Sequence, residues 1–524
     1  MTGTGALVRL ILRRDRVIMP LWVLILAVLP ISQTTGIAKL YTTDQALRQF
    51  AASFAGPALE ALYGPVTHWN AAALGVWRAG FTPVLLGLAS LLTVIRHTRV
   101  EEEAGRRELL GSTVLGRHAG LSAALIVAAL ANLVVALIIM VSFTKQGYPA
   151  SGAIATGLGY AAVGMVFAAV GAVAAQLTES AGGARAIALS VLGGTYLLRM
   201  AGDSTGASGL SWLSPISWGQ KLRPFAGEVW WPLALSFAVL VVLSSVAYVL
   251  AGRRDVAAGL LPPRLGPARA APGFASPLAL AWRLHRGALL GWSAGFVLFG
   301  LVIGGAAKTA ADAMAENRQL MEMMARLGGT TNVADVFIAG VLSIFGIGAS
   351  GYAVQAALRM RTEETLMRAE PILAVAVSRA GWMASHLVFA LLGPVVVLVV
   401  LGLAVGVAYG VSADDLAGQL PRVLGATLAQ LPAVWSLAAL AVALFGLLPR
   451  LVAGAWAALA VFLLFGQVGA LLDLPQTLLD LSPFSHLPKL PGGEVTASPL
   501  LALTAIAAAL VSAGLYGFRR RDVG

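Results

Sequence analysis

One kind of segment recurs along almost the whole chain: an unbroken apolar stretch of about twenty residues, followed by a short charged connection. Residues 123–143 (AALIVAALANLVVALIIMVSF) and 233–252 (LALSFAVLVVLSSVAYVLAG) show the pattern, each long enough to cross a bilayer core as a helix. Lipid offers no partner to an exposed backbone N–H or C=O, so such stretches satisfy themselves as helices; barrel strands would alternate in hydrophobicity. Spans are expected near residues 17–36, 76–96, 119–143, 153–177, 183–201 and 230–251, then 287–307, 336–357, 381–410, 422–447, 451–472 and 498–517. Composition agrees, with 58% hydrophobic and 11% charged residues, where a soluble domain has about a quarter charged. The fold class is therefore an all-α integral membrane protein of about 12 transmembrane helices.

The net charge of +12 invites a nucleic-acid reading, but the arginines sit in the connections, which makes them a topology signal and excludes that partner. Arg9, Arg13, Arg14 and Arg16 precede the first span. Arg96, Arg99, Arg106, Arg107 and Arg117 follow the second, and Arg253, Arg254, Arg264 and Arg269 follow the sixth. All fall on one side, which the positive-inside rule makes cytoplasmic, so both termini are expected there. The basic start and first apolar run also fit a signal peptide. Against that, Arg283, Arg286 and Trp292 repeat the spacing of Arg13, Arg16 and Trp22 deep inside the chain. Both runs are read as retained helices, each preceded by a short basic segment along the inner membrane surface.

Three blocks recur in the same order. RVEEEAGRRELLGSTVLGR (99–117) pairs with RTEETLMRAEPILAVAVSR (361–379), LSPIS (213–217) with LSPFS (481–485), and RRDV (253–256) with RRDV (520–523). The chain thus reads as two six-helix transmembrane units, 1–256 and 281–524, joined by a Pro-, Gly- and Arg-rich cytoplasmic linker at 257–280. Six spans are an even number, so the copies are expected to be parallel repeats about an axis along the membrane normal.

The segment between the second and third spans is the most informative. In a chain poor in carboxylates, Glu101, Glu102, Glu103 and Glu108 interleave with Arg99, Arg106, Arg107 and Arg117. Orientation needs Arg and Lys but not Glu, so a solvated topology loop does not explain why Glu363, Glu364 and Glu370 recur beside Arg361, Arg368 and Arg379. Glu and Arg at i, i+3 and i+4 support a short helix, and Leu109 and Leu110 give it an apolar patch. Charges ringing a few apolar anchors suit a docking element for a soluble partner.

With these residues in view, the chain resembles the membrane subunits of ABC exporters of the type-two transporter class, in particular the fused actinobacterial permeases regarded as polyketide-antibiotic exporters. That family's first cytoplasmic loop carries acidic residues, Gly, a Leu-rich turn, a small-residue step and Arg. Here Glu101 to Glu103, Gly105, Glu108, Leu109, Leu110, Ser112, Thr113, Val114 and Arg117 match it. The second copy departs, with Met367 for Gly105 and Pro371 for Leu109, which implies unequal docking sites. The resemblance implies that these loops are coupling helices seated on a separate ATPase, and that export carries a hydrophobic drug-like, antibiotic or lipid-like cargo out of the cell. It also implies that 205–229 and 475–497 dip into the outer leaflet; a plain external loop with an aromatic belt fits those Pro-, Ser- and Trp-rich stretches equally.

No GxxxxGK[ST] occurs, so ATP and Mg are expected on partner ATPase subunits, two copies for two docking loops, with no cofactor in this chain. Cysteine is lacking, and His68, His97, His118, His285, His386 and His486 show no ligand spacing, so neither a metal nor a catalytic site is expected. Trp77, Arg78 and Phe81 are the candidate substrate-path residues, because an arginine within an apolar run is costly. A snorkelling Arg78 is the competing view. Trp77, Phe81, Met140 and Met165 could also be plain packing. A twelve-helix secondary transporter of the facilitator type is the alternative, disfavoured because it couples through intramembrane carboxylates. The Ala-, Gly- and Leu-rich composition points to a bacterial inner membrane.

Overall fold

The computed structural model describes residues 2–53, 57–111, 114–255, 258–261, 268–269, 276–315, 333–468 and 475–522. The described residues are helical and form two compact units, Met1–Gly266 and Pro267–Gly524. Among the described residues, ten helices are long and apolar enough to cross a membrane, or eleven when one bent pair is counted as a single span. The chain is an all-α multi-pass membrane protein.

In the first unit the elements are α1 Thr4–Arg14, α2 Ile18–Leu40, α3 Asp44–Ser53, α4 Pro57–Tyr63, α5 Ala71–Arg78, α6 Thr82–His97, α7 Arg99–Glu103 and α8 Arg106–Gly111. They continue as α9 Ala119–Lys145, α10 Ala150–Leu177, α11 Ala181–Thr205, α12 Ser208–Trp212, α13 Pro215–Lys221 and α14 Trp231–Arg253. The Gly- and Ala-rich α10 lies at the centre, packed on α6, α9, α11 and α14. Small residues let backbones approach where lipid removes any hydrophobic drive between helices. A Cβ at Gly171 would stand 2.9 Å from the Leu91 carbonyl oxygen, and one at Gly157 2.9 Å from that of Ala136. The fully buried Asn132 on α9 donates to Ser90 on α6 at 2.9 Å.

The span expected at 76–96 is broken. α5 and α6 meet at 47°, because Pro83 has no N–H to continue the ladder. Residues 205–229 hold two short helices, α12 and α13, before α14.

The second unit comprises α15 Pro277–Ala315, α16 Val333–Thr365, α17 Ala369–Leu373, α18 Arg379–Ser412, α19 Leu416–Leu428, α20 Leu431–Leu447 and α21 Gly454–Val468. It ends with α22 Gln476–Leu479, a 3-10 turn Pro483–His486 and α23 Ala497–Arg520. Two seams of bare backbone hold it. Gly300 and Gly304 set α15 against the Leu401 and Val405 carbonyls of α18, and Gly446 of α20 lies on Gly514 of α23, with Gly517 one turn on.

One expectation needs correction here. The basic segment before α2 is a separate helix, α1, but its counterpart at 283–286 runs unbroken into the 39-residue α15. In the first unit Asp15 lies at the joint, where it forms an ion pair with Arg96 at 3.1 Å and meets His97 at 2.6 Å. Of the span expected over 451–472 the structure describes α21, Gly454–Val468; 469–474 lie outside the described residues. Residues 316–332 also lie outside the described residues.

Candidate functional site

The acidic triplet sits on α7, one residue past the end of α6, and its three carboxylates reach three different elements. Glu101 accepts Arg14, at the end of α1, at 2.7 Å, and Arg106 through Nε at 2.7 Å and Nη2 at 2.9 Å. These hydrogen bonds raise Arg106 above its ordinary pKa. Glu103 accepts the Ala181 N–H at 2.9 Å, a carboxylate at the start of α11 where the helix dipole favours one.

Glu102 is buried, and three guanidiniums converge on it. Arg99 lies 2.9 Å away and is wholly buried, Arg254 donates at 2.9 Å, and Arg107 also pairs with it. Arg254 belongs to the RRDV block at the end of α14. It also donates to Gln176 at 2.8 Å and to the Ala258 carbonyl at 3.0 Å. Arg117 in turn donates to the Arg254 carbonyl at 3.1 Å. One carboxylate thus joins the consecutive α7 and α8 to the residue just past α14, far along the chain.

The second unit repeats the plan. Glu364 is buried, accepts Arg361 at 2.8 Å and forms an ion pair with Arg521, of the second RRDV block, at 2.8 Å. Arg379 donates to the Arg521 carbonyl at 2.8 Å. Glu363 pairs with Arg359 at 2.9 Å rather than with an N-terminal arginine. Arg521 lies over the rings of Phe445 and Phe518, at 4.8 and 5.2 Å. The turn after the acidic residues is left-handed in both units, at Gly105 (φ 69°) and Met367 (φ 57°).

The predicted docking residues therefore divide in two. Glu102, Glu363 and Glu364 face inward, while Arg106, Glu108, Arg117, Arg368 and Glu370 are exposed, as is Val114. The side chains of Leu109 and Leu110, and all of Ser112 and Thr113, lie outside the described residues. The recurrence of the charged loop and of RRDV was the signal for this cluster, but only the fold shows that the two blocks meet.

Of the substrate-path candidates, Trp77 is buried, donates to the Gly64 carbonyl at 2.6 Å and lines a cavity of about 370 Å³ with Tyr160, Asp203, Trp212 and Trp231. Neither Arg78 nor Phe81 lines it. Arg78 is exposed, with its guanidinium 5.9 Å over Phe50, and Phe81 meets Tyr196 edge-on. Arg199 is wholly buried and donates to the Ala61 and Leu62 carbonyls, both at 2.6 Å, so it ties α11 to α4. Sequence spacing missed one pair: His285 and His386 meet in the interior at 3.0 Å. No group of three or more metal-ligating side chains occurs among the described residues.

Comparison with known proteins decides the family. Over 526 aligned positions the chain is 47% identical to the multidrug efflux system permease protein Rv1217c of Mycobacterium tuberculosis, spanning 100% of this chain and 95% of the relative. The chain belongs to this family of multidrug efflux permeases. The family model described as "Multidrug efflux system permease Rv1217c, C-terminal domain" matches residues 274–519, close to the extent of the second unit. The two carboxylate clusters are thus features of an efflux permease, a membrane transport subunit.

Proposed function

We propose that the chain is the membrane subunit of an ABC exporter, driven by separate ATPase subunits that dock on the segments at 99–117 and 361–379. It moves hydrophobic drug-like, antibiotic or lipid-like molecules out across a bacterial inner membrane, with both termini in the cytoplasm. ATP and Mg belong to the partners, one ATPase for each of the two segments. One observation carries this reading: in each unit a buried carboxylate on the second-to-third-span connection is bolted to the end of the sixth span, Glu102 to Arg254 and Glu364 to Arg521. A partner pressing on the exposed side of such a connection moves several spans together. A solvated loop would absorb the push.

The inward Glu102, Glu363 and Glu364 hold the connections to the bundle, which leaves Arg106, Glu108, Arg368 and Glu370 as the partner-facing set. The test is co-purification of an ATPase encoded beside this chain, with vanadate-sensitive ATP hydrolysis as the readout. Glu108→Lys combined with Glu370→Lys is expected to remove the ATPase while the permease stays monodisperse. ATPase that fails to associate with the wild-type chain would sink the reading and favour a secondary transporter.

A further inference from the structure

A second cavity, of about 460 Å³, lies in the first unit between α1, the 99–117 connection, the start of α9 and the end of α14. Its two walls differ in chemistry. Arg14, Arg107, Arg117 and Arg254, with Glu101, Glu102 and Asp255 among them, supply one, and Leu7, Leu10, Ile11 and Leu115 much of the other. Leu10 is 48% exposed, so the apolar wall continues onto the outside of the bundle.

The charge around it is unbalanced. Five guanidiniums (Arg14, Arg99, Arg106, Arg107 and Arg254) are spent on only two carboxylates, Glu101 and Glu102, and Glu103 is turned away onto α11. Arg117 adds a sixth cation, and Asp255 is the remaining acid of the lining. Excess positive charge held next to low-dielectric walls favours an anion. The α1 wall is fixed at both ends, by Gly116 N–H to the Thr2 carbonyl at 3.0 Å and by Arg14 to Glu101 at 2.7 Å.

We infer that this cavity holds the phosphate of an anionic phospholipid of the leaflet that the basic connections face, with an acyl chain leaving along Leu7 and Leu10. A soluble phosphate would use the arginine wall and leave the apolar wall in water. A lipid uses both. The second unit is not built for it, since Ala369 stands where Arg107 does and α15 has no separate α1-like strap.

The test is native mass spectrometry of the full chain, purified in detergent and titrated with dioleoylphosphatidylglycerol, with dioleoylphosphatidylcholine, and with inorganic phosphate. The wild type is expected to retain phosphatidylglycerol in preference to phosphatidylcholine, and phosphate is expected not to displace it. Arg107→Gln with Arg117→Gln is expected to weaken retention by roughly tenfold or more, at about 1 kcal/mol for each arginine. Arg368→Gln in the second unit is expected to leave it unchanged. Leu115→Trp keeps every guanidinium but fills the cavity, and is expected to reproduce the loss if the arginine variant fails to fold. Equal retention of the two lipids, displacement by phosphate, or retention indifferent to Leu115→Trp would each overturn the inference; the first two need no variant.

Discussion

The two carboxylate clusters are copies of one plan built to different strengths. In the first unit Glu102 gathers three guanidiniums, and Arg254 is further held by Gln176 and the Ala258 carbonyl. In the second, Glu364 gathers two, and Arg521 rests on aromatic faces instead of amide and carbonyl acceptors. The shared part, Arg on α7 or α16, Glu three residues on, Arg after the sixth span, and Arg117 or Arg379 on its carbonyl, is what a rigid joint needs. The unshared part, Arg14, Arg107 and the α1 strap, marks the first unit alone for further ligands.

The largest expected break in this comparison comes from Glu102→Gln, which strands three cations, of which Arg99 and Arg254 are buried. It should cost about 4 kcal/mol, against about 2 kcal/mol for Glu364→Gln, where Arg361 keeps partial access to water. Thermal unfolding of the detergent-purified chain checks the order, and equal losses would mean that Arg107 contributes nothing to the first cluster. Next, Asn132→Leu should cost about 1 kcal/mol through its lost bond to Ser90, with little change in the clusters' own behaviour in hydrogen exchange. Met367→Gly should stabilise by about 1 kcal/mol, since φ is already left-handed there. Gly105→Ala should lose a similar amount in the same unfolding assay. A null result at Met367 would show that its side chain offsets the backbone strain. Smallest is the Arg14–Glu101 pair, with the arginine side chain 42% exposed; a double-mutant cycle should find about 0.5 kcal/mol.

Most spans were legible because twenty apolar residues admit few other structures. The exceptions have local causes. Pro83 breaks the second span at a point the apolar run does not mark, and α15 stays whole because nothing between Arg286 and Gly305 halts a helix. The charged connections were legible as recurring blocks, but their inward role was not. Glu102 and Glu108 look alike in the sequence, and only the fold, which sets Glu102 against Arg254 just past α14, decides which one is buried. Of the proposed cargo path, Trp77 does line a cavity, whereas Arg78 and Phe81 belong to other surroundings.

The glycine seam between α20 and α23 bears on how force travels. Where backbones touch at Gly446 and Gly514, no side chains lie between them to shear, so the two helices behave as one beam. Arg521 stands one residue past the end of α23 and is gripped by Glu364. A torque applied at that carboxylate is therefore delivered to a double-width lever, stiff enough to carry it along the length of two helices rather than dissipate it in the first turn.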